Sequence, residues 1–117
     1  MEVRRALTLG ATALDEILER GTLRSVLQPI VDLETGRLFG YESLARGPEG
    51  TALEAPDRLF AVARAEDRLG ELDAACQIAA AANAEMHGIK SPLTLFVNIE
   101  PDARASRPYL KTLAPRT

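Results

Sequence analysis

The spacing of apolar positions changes along the chain, and the first segment with a clear period is helical. Residues 12–20 carry a capping threonine followed by Leu14, Ile17 and Leu18 at helical spacing. Gly21 follows as a helix stop. Residues 1–21 are therefore predicted to form a lead-in that contains one short helix.

The next two apolar stretches predict an antiparallel hairpin. Residues 25–31 are largely apolar and include Gln28 and Pro29. Because proline has no amide donor, this strand is expected at a sheet edge or at a bulge. Residues 32–36 have the composition of a turn, and residues 38–46 form the second strand.

The middle of the chain has helical periodicity. Pro56 opens a helix that is predicted to run to about Gly70, and a second helix follows and ends at Gly88. One stripe of the second helix is expected to face the core, and it consists of Leu72, Cys76, Ala79 and Met86. The alanines of residues 79–82 predict close packing on a neighbouring element.

The strongest strand pattern covers residues 93–99, which are apolar on both faces up to Asn98 and are therefore predicted to be buried on both sides. Residues 102–110 carry the signal of one more helix. A hairpin, helices and a strand covered on both sides indicate an α/β fold. Since a (β/α) barrel takes roughly 250 residues, the chain predicts a partial (β/α) TIM-like barrel, roughly half of one, whose first strands are antiparallel.

Composition narrows the classes of function. The 117 residues are 46% apolar and 26% charged, with a net charge of −3, as expected for one globular domain. The basic residues are scattered, which argues against DNA or RNA as a partner. No apolar run has the ~20 residues of a membrane span, so we expect a cytoplasmic protein. One cysteine and one histidine exclude a zinc site of the His/Cys type, so any metal must be bound by oxygen atoms.

Strand alternation places four residues of the second hairpin strand on one face: Gly40, Glu42, Leu44 and Arg46. Glu42 can bind a hard cation, Leu44 can pack under a planar base, and Arg46 can pair with a phosphate oxygen. The alternative is that this face is simply solvated, and spacing alone favours that alternative.

Four other residues have side chains that can bind a ligand or react. Asn98 can bind Mg²⁺ or Mn²⁺ or hydrogen-bond the following loop, and Gln28 can reach a ligand or satisfy backbone groups near the proline. His87 is expected to meet free carbonyl groups at a helix end, and Cys76 is expected to be a core residue. The sequence has no nucleophilic triad and no phosphate-binding glycine loop, so no catalytic residue is assigned.

A set of motifs follows a fixed order along the chain: Leu27-Gln28-Pro29-Ile30-Val31-Asp32, Thr35-Gly36, Gly40-Tyr41-Glu42-Ser43-Leu44-Ala45-Arg46, Pro56 with Leu59-Phe60, Leu72-Asp73, and Phe96-Val97-Asn98-Ile99-Glu100-Pro101. In order and spacing, this set resembles the EAL domain family. The resemblance covers about residues 20–110 and assigns residues 22–117 to the N-terminal half of that domain.

The resemblance implies a barrel fold and a phosphodiesterase that linearises cyclic di-GMP with Mg²⁺ or Mn²⁺. By resemblance, Glu42 and Asn98 are metal ligands. Leu44 and Arg46 contact the guanine and the phosphate, and Gln28 lies near the nucleotide. Ser43 stands where the signature has alanine, a change expected to affect packing only.

The family's later acidic motifs and its catalytic lysine and glutamate are absent from these residues. We therefore expect a truncated EAL-type domain that is catalytically incomplete as given. Two alternatives remain open. The chain can be an interaction module whose open strand edge is covered by self-association or by another domain. It can also be a sensor that binds cyclic di-GMP without hydrolysing it.

Overall fold

Residues 12–98 of the chain are described by a computed structural model. Their elements are α1 (Ala13–Arg20), β1 (Arg24–Val31), β2 (Leu38–Arg46), α2 (Pro56–Ala65), α3 (Leu69–Met86) and β3 (Thr94–Val97). The helix expected over residues 102–110 lies outside the described residues. None of the helices in residues 12–98 has the length and hydrophobicity needed to span a lipid bilayer.

The three strands form one sheet in the order β1-β2-β3. β1 pairs with β2 in antiparallel fashion, and β2 pairs with β3 in parallel fashion. The turn between β1 and β2 is closed by the Gly36 amide, which donates to the Asp32 carbonyl oxygen at 2.7 Å. The predicted α/β fold with an antiparallel first pair is confirmed, and β1 is an edge strand of the described sheet, as Pro29 indicated.

β2 carries one extra residue opposite β1. Ile30 pairs with Gly40, but the next residue, Val31, pairs with Leu38, so Phe39 has no partner in β1. Such a bulge changes which side the extra side chain points to. The ring of Phe39 stacks on Phe96 of β3, with ring centroids 5.9 Å apart.

Helix α1 has the ends that the sequence predicts. The Thr12 hydroxyl accepts a hydrogen bond from the Asp15 amide at 3.1 Å, and the Asp15 carboxylate accepts one from the Thr12 amide at 2.9 Å. These two bonds satisfy amides that a helix start leaves without partners. Gly21 follows in the left-handed conformation, with φ of 66°. Leu14 and Ile17 are buried, which fixes α1 on the rest of the domain.

The helix that begins at Pro56 ends at Ala65, so the prediction that it continues to about Gly70 is wrong. Asp67 adopts the left-handed conformation, with φ of 57°. The amides of Asp67 and Arg68 donate to carbonyl groups of the last helical turn at 3.1 and 2.7 Å. This pair of hydrogen bonds is a helix-ending motif that usually has glycine at the left-handed position.

The core lies between the three helices and one side of the sheet. Helix α3 contributes a stripe at intervals of three or four residues: Leu69, Leu72, Cys76, Ala80 and Ala84. Met86 is 76% exposed, so its predicted place in the stripe is wrong. It lies two residues beyond Ala84, which turns its side chain by about 200° around the helix.

Strand β3 is less buried than its sequence predicts. Phe96 is 42% exposed, and the other three residues of the strand are half-buried. Within residues 12–98, helices cover only one side of the sheet, so the predicted burial on both sides is not observed there. Ile99, the last residue of the predicted strand, lies outside the described residues.

Candidate functional site

The two sides of the sheet have different neighbours. Ala45 of β2 packs against the helical core, and the Asn83 side chain of α3 donates to the Ser25 carbonyl oxygen at 2.8 Å. Ser25, Ser43 and Ala45 therefore face the helices. Strand alternation and register put alternate residues on the opposite side, which we call the open face. Its members include Val26, Gln28, Gly40, Glu42, Leu44, Arg46 and Phe96, and Phe39 joins them through its ring contact with Phe96.

Glu42 lies at the centre of the open face. It pairs with Gln28 of β1 and with Phe96 of β3, so an amide and an aromatic ring flank its carboxylate. Glu42 is half-buried, and no other residue of 12–98 gives its carboxylate a hydrogen bond or an ion pair. Partial burial of an unpaired carboxylate costs free energy, and a bound cation would offset that cost.

Arg46 lies at the carboxyl end of β2, four residues from Glu42. Its guanidinium donates to the Ala45 carbonyl oxygen at 2.8 Å and has no carboxylate partner among the described residues. Alternate residues of a strand are about 7 Å apart, so Leu44 separates the two charges with an apolar surface. One face thus offers, in order, a carboxylate, an apolar side chain and a guanidinium.

Asn98 directly follows β3 and is exposed. Because Val97 pairs with Ser43, Asn98 lies at the level of Leu44. A cavity of about 130 Å³ opens between these strand ends and α2, and Leu44, Arg46 and Asn98 contribute to its lining. The structure therefore brings three of the predicted site residues together, while Gln28 and Glu42 lie further along the same face.

A larger cavity lies elsewhere. It measures about 580 Å³ between α1, β1 and α3 and is lined mainly by apolar side chains, among them Leu18, Ile78 and Met86. None of the predicted site residues lines it, and its lining contains no carboxylate. This cavity therefore lacks the charged groups of the open face, whose chemistry matches that of metal and phosphate ligands.

A divalent cation fits the open face only in part. In the stretch 12–98, no three His, Cys, Asp or Glu side chains lie close enough to hold a metal ion. Glu42 and Asn98 offer oxygen atoms from neighbouring strands. Mg²⁺ commonly keeps several waters and is held by one or two carboxylates together with substrate phosphates. Glu42 and Asn98 can therefore supply some of the ligands of such a site.

Two residues that the sequence assigned to structural roles have those roles. His87 is exposed at the end of α3, and its Nδ1 lies 2.9 Å from the Asn83 carbonyl oxygen. Cys76 is only 7% exposed. Burial, with a smaller contribution from the Asp73 carboxylate, raises the pKa of its thiol to about 12. Both predictions are confirmed.

Sequence reasoning missed the residues that hold the loop after Arg46. Nε of Arg24 donates to the Gly47 carbonyl oxygen at 3.0 Å, and the Glu54 carboxylate lies 3.4 Å from the same guanidinium. Arg24 pairs directly with Arg46 across the hairpin. Like charges directly opposite each other are destabilising. The pairing of two arginines across the hairpin therefore indicates that one of them has an acidic partner.

Comparisons with known proteins agree with the resemblance. Residues 11–115 match the family model of the EAL domain. The crystal structure of a standalone versatile EAL protein from Vibrio cholerae O395 in its c-di-GMP-bound form is similar, with 28% sequence identity and a TM-score of 0.54. The match covers 78% of this chain and 39% of that chain, so this chain spans well under half of that protein. No curated protein matches.

Proposed function

The chain belongs to the EAL domain family, and on that premise we propose that its open face is one wall of a cyclic-di-GMP site. Gln28, Leu44 and Arg46 contact the nucleotide in this proposal, and Glu42 and Asn98 bind Mg²⁺ or Mn²⁺. The observation that carries the proposal is the pair of charges, Glu42 and Arg46, that have no partners of opposite charge in residues 12–98. The c-di-GMP bound to the similar Vibrio cholerae protein supports it.

Each side chain has a role that its chemistry permits. The guanidinium of Arg46 pairs with a phosphate oxygen, and Leu44 packs against a guanine ring. Gln28, directly across from Glu42, offers an amide that can donate to and accept from the nucleotide. Glu42 and Asn98 would hold the cation, which when bound polarises the phosphodiester and lowers the pKa of a bound water.

We further propose that residues 1–117 alone bind cyclic di-GMP without hydrolysing it. Within residues 12–98, no further acids join Glu42 to form a metal-binding group of three. Metal-assisted hydrolysis needs a firmly held cation and a base for the attacking water. In this proposal the chain supplies the N-terminal half of an EAL-type domain, residues 22–117, and the remaining ligands come from other residues.

Calorimetry with cyclic di-GMP in the presence of Mg²⁺ or Mn²⁺ tests nucleotide binding. Arg46→Gln should weaken binding by about tenfold or more, because a hydrogen bond to a charged group contributes roughly 1.5–3 kcal/mol. Arg37→Gln is the matched control, because Arg37 is an exposed arginine in the turn between β1 and β2. Equal losses in the two variants, or no binding by the unmodified chain, would contradict the proposed site.

Incubation of the same chain with cyclic di-GMP and Mn²⁺ tests the absence of hydrolysis. Chromatography should recover the cyclic dinucleotide unchanged. If the linear product forms, and the Glu42→Gln variant no longer forms it, then residues 1–117 are catalytically sufficient and the proposal is wrong.

A second proposed function is an interaction module, and exposed aromatic surface favours it. Phe39 and Phe96 stack on each other yet remain 50% and 42% exposed. Val26 of the open face is 39% exposed as well. Large apolar side chains grouped on one face favour burial against another surface. Light scattering at micromolar concentration tests this proposal, and a monomer would contradict self-association.

A further inference from the structure

The middle residue of the Glu42-Ser43-Leu44 signature is bound to the neighbouring strand by its side chain. Ser43 points toward the helices and is 6% exposed. Its Oγ lies 2.7 Å from Oγ of Ser25 in β1, and either hydroxyl can donate. The bond joins β1 and β2 directly behind the open face, in addition to the backbone pairing of the two strands.

Asn83 extends this bond to helix α3. Its side-chain nitrogen donates to the Ser25 carbonyl oxygen at 2.8 Å and, more weakly, to Ser25 Oγ at 3.4 Å. When Ser25 Oγ accepts from Asn83, its own hydrogen is free for Ser43 Oγ. The three side chains then form one polar chain from α3 through β1 to β2.

The position of Ser43 determines how its two neighbours stand on the open face. Glu42 and Leu44 flank it in the chain and point to the opposite side of β2. A rotation or sideways shift of the backbone at Ser43 therefore moves both of them. A buried hydroxyl without a partner is costly, so the bond to Ser25 favours one backbone position over others.

We propose that Ser43 and Ser25 act as one positioning unit for the open face. This inference rests on the proposed cyclic-di-GMP site. Ser43 replaces the usual alanine of the signature, and Ser25 supplies the partner that its hydroxyl needs. The unit holds Glu42 and Leu44 in the orientation in which they meet the cation and the nucleotide, so neither serine touches the ligand itself.

A double-mutant cycle tests the coupling of the two hydroxyls. Ser25→Ala leaves the Ser43 hydroxyl buried without its partner. It should weaken cyclic-di-GMP binding about fivefold, because a fivefold change in affinity corresponds to the net contribution of one hydrogen bond. Ser43→Ala should cost about twofold. The double variant should bind within about twofold of the unmodified chain, because no hydroxyl is then left unpaired. Ser91→Ala, which removes an exposed hydroxyl, is the control.

Affinity is measured by calorimetry at a temperature at which urea titration shows every variant to be folded. If Ser25→Ala lowers only the unfolding free energy and leaves affinity unchanged, the hydroxyls serve packing alone and the inference is wrong. The inference is equally wrong if the double variant binds about tenfold more weakly than the unmodified chain, because the fivefold and twofold effects then simply multiply and the two residues do not act as a unit.

Backbone NMR separates a failure of this inference from a failure of the proposed function. If the unmodified chain does not bind cyclic di-GMP, the proposed function fails, but the amide signals of Glu42 and Leu44 can still be followed. They should shift in Ser25→Ala and return toward their original positions in the double variant. Signals that do not move would overturn the positioning role whether or not the nucleotide binds.

Discussion

Residues on the two sides of β2 have opposite surroundings. Ser43 and Ala45 are held against the helices, where the Ser43 hydroxyl has a hydrogen-bond partner, whereas Glu42 and Arg46 keep charges without ionic partners in residues 12–98. Alternation along one strand produces this division. Residues available to a ligand and residues that stabilise the fold therefore alternate along the same strand. Substitutions at neighbouring positions can separate effects on binding from effects on stability.

Cys76 is a buried residue of the helical core, and burial raises the pKa of its thiol to about 12. The nucleophilic thiolate is then almost absent near pH 8 in the folded chain. We predict that a disulfide reagent such as Ellman's leaves Cys76 unmodified at pH 8 under native conditions and labels it fully in guanidinium chloride. Labelling of the native chain at the rate of a free cysteine would contradict the buried position.

The same raised pKa predicts how stability changes in alkali. The unfolded thiol ionises near its ordinary pKa of 9.0, whereas the folded thiol keeps its proton to about 12. The unfolded state therefore binds fewer protons in this window, and the unfolding free energy should fall as pH rises from about 9 to about 12. Urea titrations at several pH values measure this fall, and it should be smaller in Cys76→Ala.

Asp15 gives the opposite pH dependence at the acid end. The hydrogen bond from the Thr12 amide, with Arg68 beside it, holds the pKa of the Asp15 carboxyl below its ordinary 3.8. The stabilisation is present above pH 3.8 and is lost as pH falls through the folded value. The unfolding free energy of Asp15→Asn should therefore fall less steeply than that of the unmodified chain as pH drops below about 4. Asp57→Asn, an exposed acid of α2, is the control, and an equal flattening there would contradict the prediction.

At the scale of elements, the junction between α2 and α3 contains a residue that is poorly suited to its backbone. Asp67 has φ of 57°, a conformation that costs an L-residue roughly 1–2 kcal/mol. Asp67→Gly should raise the unfolding free energy by about 0.5–1 kcal/mol, since glycine relieves the strain but loses more chain entropy on folding. Urea titration measures the change.

Asp57→Gly provides the comparison for this substitution. Asp57 is an exposed residue in the first turn of α2, where glycine should lower the unfolding free energy by about 1 kcal/mol. The same chemical change thus has opposite signs at two positions. A loss of stability in Asp67→Gly would show that the aspartate side chain contributes more at the junction than its strained backbone costs.

The elements that the sequence predicts well are those with local chemical signals at their ends. The capping threonine and Gly21 define α1, and the turn residues between β1 and β2 define the hairpin. The helix break at Asp67 has neither glycine nor proline at that position. The apolar periodicity therefore predicts a helix that continues through it. The prediction for Met86 is wrong because the buried stripe of α3 ends at Ala84, and no local sequence signal marks that end.

The candidate site was predictable to the extent that it depends on one strand. Alternation placed Glu42, Leu44 and Arg46 on a common face without any knowledge of the fold. Contacts between strands were not predictable in this way, because they depend on register and on the bulge at Phe39. The hydrogen bond between Ser43 and Ser25 and the bond from Arg24 to the Gly47 carbonyl oxygen belong to this second group.

At the scale of the whole molecule, the open face has a polar end and an aromatic end. Arg46 and Asn98 lie where β2 and β3 finish, whereas Phe39 belongs to the beginning of β2 and stacks on Phe96 near the middle of the sheet. A partner that covers the rings can therefore leave the strand ends accessible. The two proposed functions meet at Glu42, which pairs with Phe96, so a partner that covers the rings would also cover this proposed metal ligand.

Self-association through the aromatic end predicts a specific response to mutation. Phe39→Gln and Phe96→Gln should each weaken association by about tenfold or more, because burying one aromatic side chain contributes roughly 1.5–3 kcal/mol. Both rings are exposed enough that circular dichroism should stay unchanged. Sedimentation velocity over a range of concentrations measures the association.

Met86→Gln separates the open face from the other apolar surface of the molecule. Met86 is 76% exposed and lines the 580 Å³ cavity between α1, β1 and α3, on the helical side of the sheet. If the open face is the interface, this variant should associate like the unmodified chain. If Met86→Gln abolishes association while the two phenylalanine variants do not, the chain pairs through the helical side, and the open face remains available for the nucleotide.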